Sequence, residues 1–297
     1  MYPLPVSKRA SNIINNFLSF SRGQLIFVLF IQLSIEYYYI LMLIKELDLW
    51  ASRMQLEDII SDYRIIDLTH VLEERTPCYL PFYHMPWMSR TQGDGYNAYV
   101  LQIAEHHATH VDAPAHVGGT RWLDDVDLNS WHGPCRVINF KNKRLAEEVF
   151  TEDIKLWENK SGQINQDEII LLQYGWDKRW ITKEDKLNTK KFEYLKDFPG
   201  LSKEAATYLA KKKIKLIGTD TPTVDSISAF LDAQNHGKTE PSHITLLKEH
   251  NIPILEGLKN LDKVPVNGAY LFTLPLNIKH GSGSPVRAVA FIPKDKI

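Results

Sequence analysis

The run Glu105-His106-His107-Ala108-Thr109-His110-Val111-Asp112-Ala113-Pro114-Ala115-His116 gathers metal-ligating and proton-transferring side chains into one short segment. His106, His110, Asp112 and His116 lie at even separations, and the preceding stretch 97–104 is rich in β-branched and aromatic residues. Pro114 closes the run, so the segment reads as extended and not helical. Side chains alternate on a strand, which puts His106, His110 and Asp112 on one face and His107 on the other. On a helix His106 and His110 would still align, but Asp112 would point about 120° away. Two imidazoles and a carboxylate on one face make a facial site for a divalent cation, with positions left open for water. A lone histidine here would read as an ordinary polar or capping residue. The grouping around a helix-breaking proline is what points to metal chemistry.

These side chains need a scaffold, and the chain has the composition for one. It has 297 residues, 44% hydrophobic and 24% charged, with a formal net charge of -1. That is ordinary for a globular protein. The balanced charge and the lack of a basic stripe interleaved with aromatics argue against nucleic acid as a partner. Lys211-Lys212-Lys213 reads as a solvated helix end, where it suits the helix dipole. Cys78 and Cys135 match no zinc-knuckle spacing and make no disulfide framework.

From Tyr63 onward, short apolar segments alternate with a few helical ones. Strands are expected at Ile65–Thr69, Tyr99–Glu105, Arg136–Phe140, Ile169–Gln173, Leu216–Gly218, Ile252–Leu255, Tyr270–Leu274 and Val286–Phe291. Helices are expected at Ala146–Glu158, at Ser202–Lys213 with Ser202 as N-cap, and from Ser242 to about His250. The charged, turn-rich stretch between Trp176 and Pro199 reads as a surface excursion. This order of elements indicates one α/β domain over 63–297. Residues 1–60 form an extension containing the apolar run 25–44, preceded by Lys8, Arg9 and Arg22. That pattern suggests a signal peptide or membrane anchor, although Glu36 opposes a span at a cost on the order of 2–3 kcal/mol. A buried or interfacial helix, or translation assigned upstream of Met42, are the other readings. The secretory pathway or a membrane tether is expected if the run is a targeting signal, and the cytosol if it is not.

The histidine run resembles the H-x-G-T-H-x-D-x-P-x-H signature of the cyclase family, which includes bacterial-type kynurenine formamidases and isatin hydrolases. Further motifs follow in family order. They are Ile66-Asp67-Leu68-Thr69-His70 with Thr76-Pro77, Tyr174-Gly175-Trp176, Phe198-Pro199-Gly200-Leu201-Ser202 and Ile217-Gly218-Thr219-Asp220-Thr221-Pro222. Val224-Asp225, His243, Glu256-Gly257-Leu258 and Gly283-Ser284-Pro285-Val286-Arg287 complete the set. The resemblance implies a mixed-sheet, barrel-like core with flanking helices, of the swivelling β/β/α type. It also implies a homodimer or higher homo-oligomer. One residue departs from the pattern: Ala108 stands where the family has glycine, which would strain the backbone if that position needs positive φ.

Glu256 ends an apolar run, and a buried carboxylate there needs a partner. The resemblance to the formamidase branch implies that His243 and Glu256 complete a second metal site bridged by Asp112. The cation expected is Zn²⁺ or Mn²⁺, in one or two sites. His116, just past Pro114, reads as a proton shuttle between water and leaving amine, with a fourth metal ligand as the alternative. Phe82, Tyr83, Trp87 and Met88 sit among prolines in an expected loop, where they would stack on an aryl substrate or pack against the core or a partner subunit. Three readings follow: an arylformamidase-like amidase acting on N-formyl-L-kynurenine, a cyclic amide or lactone hydrolase, and a silent secreted binding protein of the same fold.

Overall fold

The computed structural model describes residues 33, 35–46, 60–74, 76–79, 81–180 and 193–296, and the chain divides into two units, 1–61 and 62–297. In the first unit, residues 35–46 are helical with exposed side chains. Of the expected targeting run 25–44, residues 25–32 and 34 lie outside the described residues. Among the described residues no helix is long and apolar enough to cross a membrane.

The second unit is built on the strand β7, Ile169–Gln173, whose five residues are all buried. Ile170 and Leu172 join one apolar core while Ile169 and Leu171 join another, so the strand is covered on both faces. This is why its sequence is continuously apolar and not alternating. Around it run β5 (His132–Asn139), β9 (Leu216–Thr219) and β10 (Ile254–Glu256), and these four strands are parallel to one another. On one flank β11 (Ala269–Phe272), β13 (Val289–Pro293) and β1 (Tyr63–Asp67) add antiparallel; on the other, β4 (His110–Asp112) and β12 (Gly283–Pro285) do the same. The nine strands run β1-β13-β11-β5-β7-β9-β10-β4-β12. The expected barrel-like core is a curled half-barrel: one mixed sheet of nine strands with β1 and β12 at its ends. Two small ribbons pair β2 (Tyr83–Met88) with β3 (Ala98–Gln102) and β6 (Glu148–Val149) with β8 (Gly200–Leu201).

Helices cover one face. These are α1 (Thr151–Ser161), α2 (Lys203–Lys211), α3 (Ile227–Asn235) and α4, whose first turn Pro241–His243 runs on as a π-helical segment, Ile244–Glu249. Ile154, Ala205, Ala206, Leu209, Leu246 and Leu247 bring them into the core with Ile138, Ile170 and Leu172. Each fully buried Leu or Ile contributes roughly 1.5–3 kcal/mol. Ser202 caps α2 as expected, accepting the Ala205 N–H at 3.2 Å.

Several expected elements shift. The first helix starts at Thr151, because Ala146 takes φ 58° and Glu148–Val149 pair as a strand. The expected excursion after Trp176 returns to the core at both described ends: Trp176 and Tyr194 are buried, and the indole N–H donates to Tyr194 O at 2.8 Å. Residues 181–192 lie outside the described set. Lys212 is not a solvated helix end: its ammonium reaches back to buried Glu158 at 2.9 Å.

Candidate metal centre

His110 and Asp112 leave β4 on the same side, two residues apart, while Val111 between them is buried in the opposite core. The β4–β10 register sets Glu256 directly opposite His110. His243 arrives at the end of the first turn of α4, and His116 from a 3-10 turn, Pro114–Val117, just after β4. One strand pair, one helix start and one turn therefore converge at one end of β4.

Asp112 is the hub. Its Oδ1 lies 2.6 Å from His106 Nδ1 and 3.3 Å from His110 Nε2, and its Oδ2 lies 3.6 Å from His243 Nε2. Glu256 reaches His110 Nε2 at 3.6 Å through Oε2 and His243 Nε2 at 3.5 Å through Oε1, which also accepts the Val224 N–H at 2.8 Å. Each of these two imidazoles is anchored by its other nitrogen. His110 Nδ1–H donates to Ala108 O at 3.0 Å, and His243 Nδ1–H donates to Asp225 Oδ2 at 2.8 Å. Both Nε2 atoms therefore face the carboxylate pair. The ring of His116 stacks on that of His106 with centroids 3.8 Å apart, and it lies 6.0 Å from that of His243.

Burial opposes charge at every one of these groups, and the outcome depends on neighbours. Burial alone would push His110 down, but Asp112 and then Glu256 raise it to about 9. His243 is likewise desolvated, yet Asp112, Asp225 and Glu256 hold it well above the usual imidazole value. Burial would raise Asp112, but His110 and His106 carry it well below the usual carboxylate range. Glu256 goes up to about 7 through burial and the adjacent Asp112. Burial of the ring, helped by His106, His243 and His110, pushes His116 down to about 4 against the pull of Asp112. The residue nevertheless keeps part of its surface exposed to solvent.

The pocket is thus a concentrated negative site that draws positive charge onto its imidazoles, and a divalent cation meets the same demand. The donors fit: His110, Asp112 and Glu256 bring ligand atoms within 4.8 Å of one another, as do His106, Asp112 and His116. Asp112 Oδ2 is buried without a hydrogen-bond partner among the described residues, which is costly unless something cationic completes it.

The expected extended segment from 106 to 112 is corrected. The strand before it ends at Gln102, and only His110–Asp112 are strand. Ala108 takes φ 57°, turning the chain so that His106 approaches Asp112 from a loop and not from one strand face. The Ala108 N–H donates to Cys78 Sγ at 3.2 Å. Gly257 is obligatory beside this turn, since a Cβ there would stand 2.3 Å from Ala108 O. The expected aromatic loop is also different. Tyr83, Trp87 and Met88 lie on β2 of an exposed ribbon, Trp87 at 74% exposure, while Phe82 is buried with its ring 6.0 Å from that of His107. Sequence reasoning gave no role to Asp225, Ser282 or Glu105, which hold the histidines. Only the place of Asp225 within a family-like motif hinted at it.

The Cyclase family model matches residues 66–226. An isatin hydrolase of Roseibium aggregatum is 32% identical over 259 residues, covering 78% of this chain and 93% of that protein. A kynurenine formamidase of Geobacillus thermodenitrificans is 30% identical over 230 residues, covering 75% and 95%. A crystal structure of an isatin hydrolase bound to the product analogue thioisatinate superposes with a TM-score of 0.70 at 26% identity, covering 81% of this chain and all of the other. With the signature histidines gathered at one end of β4 and homology over most of its length, the chain belongs to the cyclase family and is a hydrolase.

Proposed function

We propose that the chain hydrolyses the C–N bond of a small aryl amide, an N-formyl aryl amine such as N-formyl-L-kynurenine, within a hydrolase domain spanning residues 63–297. In this reading His106, His110 and Asp112 would hold one Zn²⁺ or Mn²⁺, and His243 and Glu256, together with Asp112, would hold a second. The carrying observation is the buried Asp112–Glu256 pair with the Nε2 atoms of His110 and His243 aimed between them. A divalent cation, when bound, acidifies water and polarises the substrate carbonyl.

The chain's own residues supply the rest. His116, partly exposed to solvent, accepts a proton from the attacking water as oxygen adds to the carbonyl carbon. It returns that proton to the nitrogen as the C–N bond breaks, releasing formate and the aryl amine. The Ala108 carbonyl and Asp225 hold His110 and His243 in place, so their orientation is set before substrate arrives. A second reading, opening of a cyclic amide, has its own support in the likeness to isatin hydrolases over most of the chain. A silent binding protein has less, because it would have no use for an exposed imidazole stacked beside a buried ligand set. Side-by-side turnover of N-formylkynurenine and isatin decides among the three. The formamidase reading expects faster release of formate, and it falls if isatin opens faster or if neither reacts.

Tyr83, Met85, Trp87, Tyr99, Val100 and Leu101 leave an exposed apolar surface on the β2–β3 ribbon. A patch of this kind suits association with a second copy of the chain, which we propose as its covering.

A further inference from the structure

We infer that Glu105 and Ser282 form a positioning relay that fixes which nitrogen of His106 faces Asp112. The inference rests on the reading of His106, His110 and Asp112 as a cation site. Both ring nitrogens of His106 are committed: Nδ1 lies 2.6 Å from Asp112 Oδ1, and Nε2 lies 2.8 Å from Ser282 Oγ. Ser282 has a single hydroxyl hydrogen. Glu105 Oε2 accepts it at 2.6 Å and accepts the Ser282 N–H at 2.9 Å as well.

A carboxylate has no hydrogen to give, so the direction of the chain is determined. Ser282 donates to Glu105 and accepts from His106, which must therefore carry its proton on Nε2. That leaves Nδ1 as the nitrogen that faces Asp112 Oδ1. A contact this short is held by a shared proton in the metal-free protein, and a divalent cation would take the place of that proton when bound. His106 is oriented oppositely to His110 and His243, which are anchored through Nδ1–H and present Nε2.

The backbone is shaped around this arrangement. Ser282 O accepts the Ala113 N–H at 2.9 Å, which ties the serine to the end of β4. Next to it, Gly283 leaves space for the ring, since a Cβ there would stand 2.5 Å from His106 Cε1. Anchors of this kind set tautomer and ring angle, and losing one typically costs 10–100-fold in metal affinity.

The test is Zn²⁺ affinity of the full-length protein, measured by competition with a chromophoric chelator. Ser282→Ala and Glu105→Ala should each bind about 10–100-fold more weakly. Ser282→Thr, which keeps the hydroxyl, and Glu105→Gln, which keeps an acceptor, should stay closer to wild type. Long-range ¹H–¹⁵N correlations of the histidine rings in the metal-stripped protein give a second readout. They should show His106 protonated at Nε2 in the wild type and redistributed in Ser282→Ala. Unchanged affinity in Ser282→Ala, an equal loss in Ser282→Thr, or a wild-type His106 protonated at Nδ1 alone would overturn the relay. Wild-type Zn²⁺ affinity in His110→Ala would instead overturn the cation site on which the relay rests.

Discussion

Two buried carboxylate clusters in this domain are built to opposite ends. Glu158 on α1 is almost wholly enclosed, yet both its oxygens are satisfied: Oε1 accepts from Lys212 Nζ at 2.9 Å and from the Ile164 N–H at 2.8 Å, and Oε2 accepts the Tyr208 hydroxyl at 2.5 Å. Asp112 is equally enclosed but shares its cavity with a second carboxylate, Glu256, and its Oδ2 has no hydrogen-bond partner among the described residues. The first cluster closes its own charge account and is structure. The second crowds two carboxylates and two imidazoles together, and it is there that we place the proposed cation.

The comparison can be broken by substitution, and the largest effect belongs to the incomplete cluster. Asp112→Asn should remove bound metal and reduce hydrolysis to background, measured by elemental analysis and formate release, while the fold persists. His116→Ala should keep its metal and lose roughly 10²–10⁴-fold in turnover, the range that general acid–base catalysis supplies. The loss should be larger for an anilide than for an activated ester whose leaving group needs no proton. Equal losses for both substrates, or loss of metal, would remove His116 from the shuttle role.

The closed cluster predicts the reverse pattern. Glu158→Gln should cost about 1–3 kcal/mol of stability through partners left unsatisfied, with kcat unchanged. Burial would raise the Glu158 carboxyl, but Tyr208, the Ile164 N–H and Lys212 outweigh it and hold it below the usual value. A depressed carboxylate stabilises the fold above its unfolded pKa, and that contribution is lost as pH falls through the lower folded value. Denaturant midpoints followed downward from pH 5 should therefore fall more steeply for wild type than for Glu158→Gln. The smallest effect concerns backbone strain. Ala108→Gly removes the left-handed alanine and should stabilise the protein by about 1 kcal/mol, readable as a raised Tm.

The difference between the clusters also explains what the sequence could disclose. His110 and Asp112 were legible because strand alternation is a local rule, and two residues suffice to share a face. The turn at Ala108, and not the continuous strand that the spacing implies, brings His106 to Asp112. His243 and Glu256 sit far along the chain: Glu256 meets the site through β10 pairing with β4 and His243 through the first turn of α4, neither of which spacing alone encodes. The anchors Asp225, Ser282 and Glu105 carried still less signal, because each acts through a histidine. On the structural side, Lys212 looked like one of three solvated lysines until the fold brought Glu158 beneath it. β12 was missed since Gly283 and Pro285 read as turn residues, and α3 since it buries little beyond Ala233.

The central claim is that the buried Asp112–Glu256 pair is completed by a divalent cation that hydrolysis requires. The most direct test is formate release from N-formylkynurenine by the purified chain before and after chelation, with metal content determined on the same samples. The account predicts that bound Zn²⁺ or Mn²⁺ and turnover disappear together and return together on adding the ion back. Full turnover by metal-free protein would contradict it.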